Sequence, residues 1–193
     1  MIFANSCSGN FNCKVGLVGL GSIGKMVAEK LKELDVEVFG CDPFVSKETA
    51  DKLGVTLVSM EKLFSECDII SNHLANKAEL RNIFNHNLFK KMKRHTTFIN
   101  TGRGAQVNEL HLAFHLFVHP SVTFVADVIK TEYFPWLCPL FWCPNAVLTP
   151  HIAGSIGNEP QRMAYYMMDE LDRYLSAQSV KYEVTQDMLE RMA

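Results

Sequence analysis

The stretch KVGLVGLGSIG, residues 14–24, decides the fold of this chain. Its first half is an apolar run typical of a buried strand, and Ser22–Leu34 follows with the periodicity of a helix. Gly19 permits the tight turn between them, Gly21 lets the backbone approach a pyrophosphate, and Gly24 lets the helix pack closely against the strand. The spacing therefore predicts the strand, turn and helix that open a dinucleotide-binding fold.

An acidic residue at the end of the second predicted strand supports this interpretation. Asp42 follows the glycine loop (Gly19–Gly24) by about 20 residues, where a carboxylate can accept hydrogen bonds from both ribose hydroxyls of NAD. The same carboxylate would repel a 2′-phosphate, so the sequence predicts NAD rather than NADP as the cofactor. The alternative is a glycine turn beside an exposed aspartate that binds nothing.

Strand-like runs alternate with helix-period segments along most of the chain. Strands are predicted at 14–18, 36–40, 55–57, 68–71, 96–100, 122–128 and 146–149, and helices at 22–34, 47–53, 60–65, 87–92, 108–117 and 159–176. Because the strands are continuously apolar, we expect a parallel sheet buried on both faces, which makes the fold α/β and doubly wound, of the Rossmann type. We expect a leader at 1–13, one dinucleotide-binding domain at 14–178 and a C-terminal tail at 179–193.

The composition narrows the class of protein. A chain of 193 residues with 48% apolar and 21% charged residues has room for one sizeable globular domain. A net charge of −2 gives no reason to expect nucleic acid or an anionic membrane surface as a partner, and no apolar run approaches the ~20 residues that span a bilayer. The chain begins without a secretory signal pattern and its six cysteines form no CxxC pair, so we expect reduced thiols in a cytoplasmic protein.

Polar residues follow the predicted strands at the point where each strand ends. They are Asp42, Asn72-His73-Leu74, Asn100-Thr101-Gly102-Arg103-Gly104, Asp127 and Thr149-Pro150-His151. Ligands of open α/β sheets bind beyond the carboxyl ends of the strands. Since random placement would not collect polar residues there, the sequence predicts a single site at this edge.

Five motifs in order resemble the D-isomer-specific 2-hydroxyacid dehydrogenases. They are GLGSIG, the aspartate in CDPF, NTGRGAQVNE, ADVIKTE and LTPHIAGS, and the match runs from about Lys14 to the long helix near Leu175. Each motif alone is of modest specificity, but five at suitable spacing are highly specific. The resemblance implies an NAD-dependent oxidoreductase that acts on the CH–OH group of a small D-2-hydroxy acid, or reduces the 2-keto acid in the opposite direction.

The resemblance also implies three catalytic residues. Arg103 would bind the substrate carboxylate with its planar guanidinium and polarise the adjacent carbonyl. His151 would supply the proton as hydride is delivered, and Glu132 would stabilise its charged form. The alternatives are a structural salt bridge for Arg103, a solvated loop position for Glu132 and a structural role for His151.

By the same resemblance, further positions would contact the cofactor. Ser22 and Ile23 would offer backbone N–H groups to the pyrophosphate, and Asp127 would meet the nicotinamide carboxamide. The remaining cofactor-groove positions are Leu74, Thr101, Gly102 and Ala153.

The main departure from the family that we expect is the absence of a separate substrate domain from this chain. This leaves a second function open, a non-catalytic NAD-binding module that senses redox state or engages a protein partner. Arg103, Glu132 and His151 favour the enzyme, whereas the short chain favours the module. An unrelated Rossmann protein, such as a methyltransferase or another reductase, explains the glycine loop but not NTGRG or TPHIAG.

Three histidines recur at helical spacing, His111, His115 and His119, and so raise the possibility of zinc on a helix face. We predict no metal, because no cysteine or carboxylate is placed to complete a tetrahedral set. We expect His111 and His115 to lie on the polar side of this helix. Its buried stripe should consist of Leu110, Ala113, Phe114 and Phe117.

The segment Tyr133–Trp142 is unusually aromatic. It is either core packing over the site or an exposed subunit interface, because large apolar patches rarely face water. The resemblance favours the second alternative modestly, since family members commonly dimerise through the cofactor domain. We therefore expect a homodimer.

Overall fold

The computed structural model describes residues 9–189. The chain folds into two compact units, of which the first ends at Pro150 and the second begins at His151. Cys7, most of the predicted leader and the last four residues of the predicted tail lie outside the described residues. The helices of the described part include none that is long and apolar enough to cross a membrane.

A single parallel sheet of seven strands forms the centre of the first unit, in the order β3-β2-β1-β4-β5-β6-β7. The strands are β1 (Cys13–Val18), β2 (Val36–Cys41), β3 (Val55–Leu57), β4 (Ile69–Asn72), β5 (Thr97–Asn100), β6 (Thr123–Ala126) and β7 (Ala146–Leu148). The chain moves outward from β1 to β3 and then returns to place β4 on the other side of β1. This confirms the predicted doubly wound α/β fold.

Five α-helices connect these strands: α1 (Ser22–Leu31), α2 (Lys47–Leu53), α3 (Met60–Glu66), α4 (His86–Phe89) and α5 (Glu109–Val118). Short polar side chains cap several of them, as when Ser46 accepts the backbone N–H of Thr49 and Asn108 accepts that of His111. Gly54 ends α2 with a φ of 68°, the left-handed conformation that glycine adopts without strain. Turns of 3₁₀-helix stand at Ala78–Leu80, Gly104–Gln106, Pro135–Leu137 and Pro139–Trp142.

Helices cover both faces of the sheet. On one face α3, α4 and α5 pack over a cluster of fully buried phenylalanines whose ring centroids lie 5.2–6.5 Å apart in contacting pairs. The five rings are those of Phe64, Phe84, Phe89, Phe98 and Phe124. On the other face α1 and α2 bury smaller residues, such as Ala28 and Ala50, against β1 and β2. The successive residues Leu17 and Val18 of β1 belong to different clusters, as the two-residue period of a strand requires.

The structure corrects most of the predicted faces of α5, although Ala113 is partly buried and His111 is exposed, as predicted. Leu110, Phe114 and Phe117 are exposed, whereas Leu112, His115 and Leu116 are buried against the sheet. The prediction failed because the helix is apolar on both sides, so the spacing of large side chains does not single out one face. His115 thus lies inside the first unit and not on a polar surface.

The aromatic segment is divided between core and surface. Cys138 and Leu140 are buried, but Tyr133, Trp136 and Trp142 are among the six large side chains of the segment that remain exposed. Core packing therefore accounts for only part of it.

The second unit consists of α6 (Glu159–Leu175), α7 (Gln186–Leu189) and their connections. The segment after α6 folds back along it. The Glu170 carboxylate accepts the backbone N–H groups of Lys181 and Tyr182, at distances of 2.9 to 3.0 Å, and the Tyr182 ring lies 5.9 Å from that of Tyr166. The predicted long helix is confirmed to within one residue of its end.

Candidate functional site

The carboxyl ends of six strands are level with one another. The pairing register joins their last residues in one row across the sheet: Cys41, Val18, Asn72, Asn100, Ala126 and Leu148. The next residue of each strand's chain therefore stands at the same edge, in the order Asp42, Gly19, His73, Thr101, Asp127 and Thr149. Apart from His151, the polar residues that the sequence places after the strands thus lie at one edge of the sheet in the first unit.

The glycine loop lies where the chain changes direction in the sheet, between β1 and β4. Gly19 has a φ of 91°, and a Cβ built there would come within 2.8 Å of the carbonyl oxygen of His73. Gly21 faces open space, because a Cβ built there would meet no atom within 4 Å. The loop therefore brings bare backbone to the crevice in which ligands of such sheets bind.

The amino end of α1 lacks a side-chain cap. Within the described first unit, α2 to α5 each begin with a serine or asparagine that accepts a backbone N–H, but α1 begins at Gly21 with no such bond. The first hydrogen bond within the helix runs from the Lys25 N–H to the Gly21 carbonyl. The backbone N–H groups of Ser22 and Ile23 come before it and therefore have no carbonyl partner within the helix. Their N–H groups and the helix dipole favour an anion at this end, which is what a pyrophosphate requires.

Asp42 is held against the glycine loop. One carboxylate oxygen accepts the backbone N–H of Leu20 at 2.7 Å, and the other accepts that of Phe44 at 2.8 Å. Each oxygen has a second lone pair, and the half-buried side chain keeps a solvent-facing side. The carboxylate is thus fixed in position but can still accept hydroxyl hydrogens of a ribose. Together with the open glycine and the uncapped helix, it fits a dinucleotide.

Three buried amides tie the loop after β4 to the loop after β5. The Asn72 side-chain nitrogen donates to Asn100 Oδ1 at 2.8 Å and to Gln106 Oε1 at 2.7 Å. Gln106 in turn donates to the Ala75 carbonyl at 2.7 Å, and Asn72 Oδ1 accepts the N–H of Leu74. The predicted groove residue Leu74 therefore belongs to a hydrogen-bonded frame. The sequence analysis includes Gln106 only as part of the motif NTGRGAQVNE and gives it no role, although an asparagine ending an apolar strand was a signal that a buried polar partner exists.

Arg103 projects from this frame. Asn100 accepts the N–H of Gly102 at 3.1 Å and donates to the Arg103 carbonyl at 3.2 Å, so one side chain fixes the backbone on both sides of the loop. The Arg103 side chain is exposed and donates to the Gly102 carbonyl at 2.8 Å. An exposed guanidinium on an anchored backbone, beside the predicted groove residues Thr101 and Gly102, can receive an anionic ligand.

The loop after β6 is anchored at two points. The buried Asp127 accepts the hydroxyl hydrogen of Thr149, which links the ends of β6 and β7. Further along, the buried Glu109 carboxylate of α5 accepts the backbone N–H of Lys130 at 2.6 Å. Glu132, exposed, follows two residues later. Glu109 therefore fixes the backbone two residues before Glu132, a role that the sequence analysis did not assign to it although the motif NTGRGAQVNE ends at this residue.

His151 and Ala153 belong to the second unit. Both are exposed, and His151 has a φ of 55°, a left-handed conformation in which histidine is enriched relative to most side chains. The first unit holds the other predicted site residues. The catalytic roles assigned to Arg103, Glu132 and His151 remain predictions.

A further histidine lies at the carboxyl edge. His73 follows β4, its Nε2 is 3.0 Å from the Ser71 hydroxyl, and burial lowers the pKa of its imidazole. It is therefore neutral at pH 7 and adds no charge to the crevice. Within residues 9–189 no three histidine, cysteine or carboxylate side chains are grouped as metal ligands would be.

A protein-family model matches most of the chain. The description of the matching family is D-isomer specific 2-hydroxyacid dehydrogenase, NAD binding domain, and the match covers residues 5–153. The expectations of family and cofactor from the glycine loop and the four other motifs are confirmed by this match.

Curated relatives point the same way. The chain is 36% identical over 140 residues to D-3-phosphoglycerate dehydrogenase of Archaeoglobus fulgidus, which covers 72% of this chain and 27% of the relative. It is 31% identical over 157 residues to glyoxylate reductase of Korarchaeum cryptofilum, covering 81% and 47%. The chain thus spans about a quarter of the length of its first curated relatives.

A solved structure shares the fold, the NAD-complexed D-isomer specific 2-hydroxyacid dehydrogenase of Lactobacillus delbrueckii ssp. bulgaricus. It aligns with a TM-score of 0.81 at 24% identity, over 94% of this chain and 59% of that one. The sheet order, the glycine loop and the family match agree, and the chain belongs to the D-isomer specific 2-hydroxyacid dehydrogenases, of which it spans the NAD-binding domain.

Proposed function

We propose that this chain is the cofactor-binding part of an NAD-dependent oxidoreductase that interconverts a D-2-hydroxy acid and its 2-keto acid. The observation that carries the proposal is the level carboxyl edge of the sheet. There, Asp42 and the uncapped amino end of α1 lie in the same row of loops as the anchored Arg103. Anion-binding and ribose-binding groups thus share one edge with a cation suited to a substrate carboxylate.

The cofactor half of the proposal assigns a group to each part of a dinucleotide. Asp42 would accept the ribose hydroxyls, the amides of Ser22 and Ile23 would bind the pyrophosphate, and the open space at Gly21 would admit it. Leu74, Thr101, Gly102, Asp127 and Ala153 remain the proposed contacts of the nicotinamide half. When bound, the cofactor supplies the hydride chemistry, and the protein supplies orientation and charge.

The substrate half rests on side chains that can hold charge and protons. Arg103 would hold the carboxylate and polarise the carbonyl through its planar, permanently charged group. His151 would donate a proton to the carbonyl oxygen during reduction and accept it during oxidation, and Glu132 would favour the charged imidazole. The partner molecule is a small 2-hydroxy or 2-keto acid, for which D-3-phosphoglycerate and glyoxylate are test compounds suggested by the names of the relatives.

Calorimetric titration with NADH and NADPH tests the cofactor half. We expect NADH to bind and NADPH to bind at least tenfold more weakly, because its 2′-phosphate would lie beside the Asp42 carboxylate. Absence of NADH binding would defeat the proposal.

Turnover is a separate measurement. NADH oxidation with glyoxylate and NAD reduction with D-3-phosphoglycerate are followed at equal cofactor saturation. We expect His151→Gln to abolish turnover and to leave NADH affinity nearly unchanged. Full activity in this variant would contradict the assignment of His151 as the proton donor. Cofactor binding without any turnover would favour the non-catalytic module.

The homodimer and the cytoplasmic location that the sequence predicts are part of this proposal. The acidic net charge of −2 supports the expectation that nucleic acid is not a partner.

A further inference from the structure

The His73 side chain projects to the face of the sheet that α1 covers. Its backbone N–H donates to the Val18 carbonyl at 2.7 Å, which continues the pairing of β1 and β4 beyond the last residue of β4. Ser71, two residues earlier, therefore points to the same face. Ser71 is paired with Leu17 of β1, and Leu17 packs in the cluster beneath α1 and α2. The imidazole thus stands on the α1 side of the carboxyl edge.

His73 also borders the glycine loop. A Cβ built on Gly19 would come within 2.8 Å of the His73 carbonyl oxygen, and one built on Gly24 would lie 3.6 Å from the His73 Cβ. Gly24 belongs to the first turn of α1, the helix end that lacks a side-chain cap. The imidazole is therefore rooted beside the backbone N–H groups of Ser22 and Ile23, where an anion is favoured.

The hydrogen bond to Ser71 assigns the position of the imidazole proton. The Ser71 hydroxyl is buried, and within residues 9–189 its hydrogen-bond partner is His73 Nε2, at 3.0 Å. A buried hydroxyl donates its hydrogen to the acceptor that it has, so Nε2 carries the lone pair. Because burial lowers the pKa of this imidazole and keeps it neutral at pH 7, its one proton is on Nδ1.

The Nδ1–H group is available to a ligand. Among the described residues it has no acceptor, and it does not belong to the buried side-chain nitrogens that lack a partner, so it faces the accessible crevice. We infer that His73 binds the cofactor by donating this N–H to a pyrophosphate oxygen, next to the N–H groups of Ser22 and Ile23. The inference rests on the proposed function, because it assumes that the dinucleotide lies in this crevice.

Calorimetric titration of the full chain with NADH at pH 7 tests the inference with two amide variants. The side-chain nitrogen of asparagine is as many bonds from the backbone as Nδ1, whereas that of glutamine corresponds to Nε2. His73→Gln can therefore keep the bond to Ser71 but loses the donor, and NADH binding should weaken ~10-fold or more, as for a hydrogen bond to a charged group. His73→Asn should bind within ~3-fold of the wild type. His119→Gln, at an exposed position after α5, is the control and should change nothing.

Two smaller ligands locate the contact. In titrations followed by nuclear magnetic resonance, His73→Gln should weaken the binding of ADP as much as that of NADH, and should not change the binding of adenosine, which has no phosphate. Equal NADH affinity in wild type and His73→Gln, an equal loss in His73→Asn, or an equal loss for adenosine would overturn the inference alone. A wild type that binds no NADH would overturn the proposed function and this inference with it.

A further variant and a spectroscopic signal cover the case in which His73→Gln misfolds, which circular dichroism and thermal melting reveal. ¹H–¹⁵N spectra of the wild-type His73 ring should show the proton on Nδ1, with a signal that shifts when ADP is added. Ser71→Ala removes the hydroxyl that fixes this proton, so both tautomers should appear. NADH affinity should then fall at least ~2-fold, because only one tautomer can donate. A ring protonated on Nε2, or an Nδ1 signal that ADP does not move, would contradict the assignment.

Discussion

The Asn72 side chain donates a hydrogen bond to Asn100 at 2.8 Å, between two residues that face each other in the register of β4 and β5. Both side chains are fully buried. Asn100 uses the same oxygen to accept the Gly102 N–H, and its amide nitrogen reaches the Arg103 carbonyl. The pair therefore transmits the position of β4 to the loop that presents the proposed substrate-binding arginine.

Asn72→Leu should destabilise the protein by about 1–3 kcal/mol, since it leaves the amide oxygens of Asn100 and Gln106 without their buried donor. Urea unfolding measures the loss. Asn76→Leu, at an exposed position of the following loop, is the control and should change stability by less than about 0.5 kcal/mol. Equal stability of the two variants would mean that the amide frame contributes nothing.

Glu109→Ala should release the loop that carries Glu132, because the carboxylate that accepts the Lys130 N–H is lost. Hydrogen exchange at the Lys130 amide is the direct readout and should become at least ~10-fold faster, whereas Glu109→Gln should restore most of the protection. Glu48→Ala, at an exposed position in the first turn of α2, is a matched control that removes only a favourable dipole interaction. Unchanged exchange at Lys130 in Glu109→Ala would exclude a positioning role.

Asp42→Asn should weaken NADH binding by roughly 10- to 100-fold, as for loss of hydrogen bonds to a charged group. Discrimination against NADPH should fall at the same time, because the amide no longer repels a 2′-phosphate. Calorimetry with both cofactors measures the two effects. Asp51→Asn, on α2, should leave both affinities unchanged, and a variant that binds NADH as the wild type does would remove Asp42 from the site.

Acidification should destabilise the protein through His115. Burial, together with the charges that His119 and His86 would carry, lowers the pKa of His115 to about 4, below the value of about 6.5 in unfolded chains. Its Nε2 atom has no hydrogen-bond partner among the described residues. Because the unfolded state binds this proton first, stability is fully present above about pH 6.5 and is lost as the pH falls towards 4.

The measurement is the free energy of unfolding in urea at pH 7 and pH 5. The His115 contribution to the loss should be about 1–2 kcal/mol over this interval. His115→Leu should reduce the pH dependence by this amount, whereas His111→Gln, on the exposed side of the same helix, should retain it. An identical pH dependence in wild type and His115→Leu contradicts the assignment.

The order of elements in the first unit could be predicted because each strand is apolar and each helix begins with a recognisable signal. The bounds of α2 and β3 match the prediction, since Ser46 and Gly54 mark the start and end of that helix. Leu34, however, extended the helical pattern beyond the actual end of α1 at Leu31. An apolar residue that happens to stand at helical spacing in a turn cannot be told from a further turn of helix.

The sequence also predicted which polar residues share an edge, because parallel strands end on the same side. It could not predict how their loops are supported. Gln106 and Glu109 act through atoms that are distant in the chain, the Asn72 amide and the Lys130 N–H. Most of the faces of α5 were predicted wrongly for a related reason. Both sides of this helix are apolar, so which side packs against the sheet depends on contacts with residues that are distant in the chain.

The level row of strand ends sets how the chain can tolerate change in length. From β2 to β7 the row crosses five strand spacings, which is about 24 Å at about 4.8 Å each. A deletion or insertion within any of these strands would withdraw one residue from the row and turn its neighbours to the opposite face. Loops at the amino ends of the strands carry no such constraint. An inserted peptide label, or the new termini of a circular permutant, should therefore be placed in these loops, on the edge of the sheet opposite to the row.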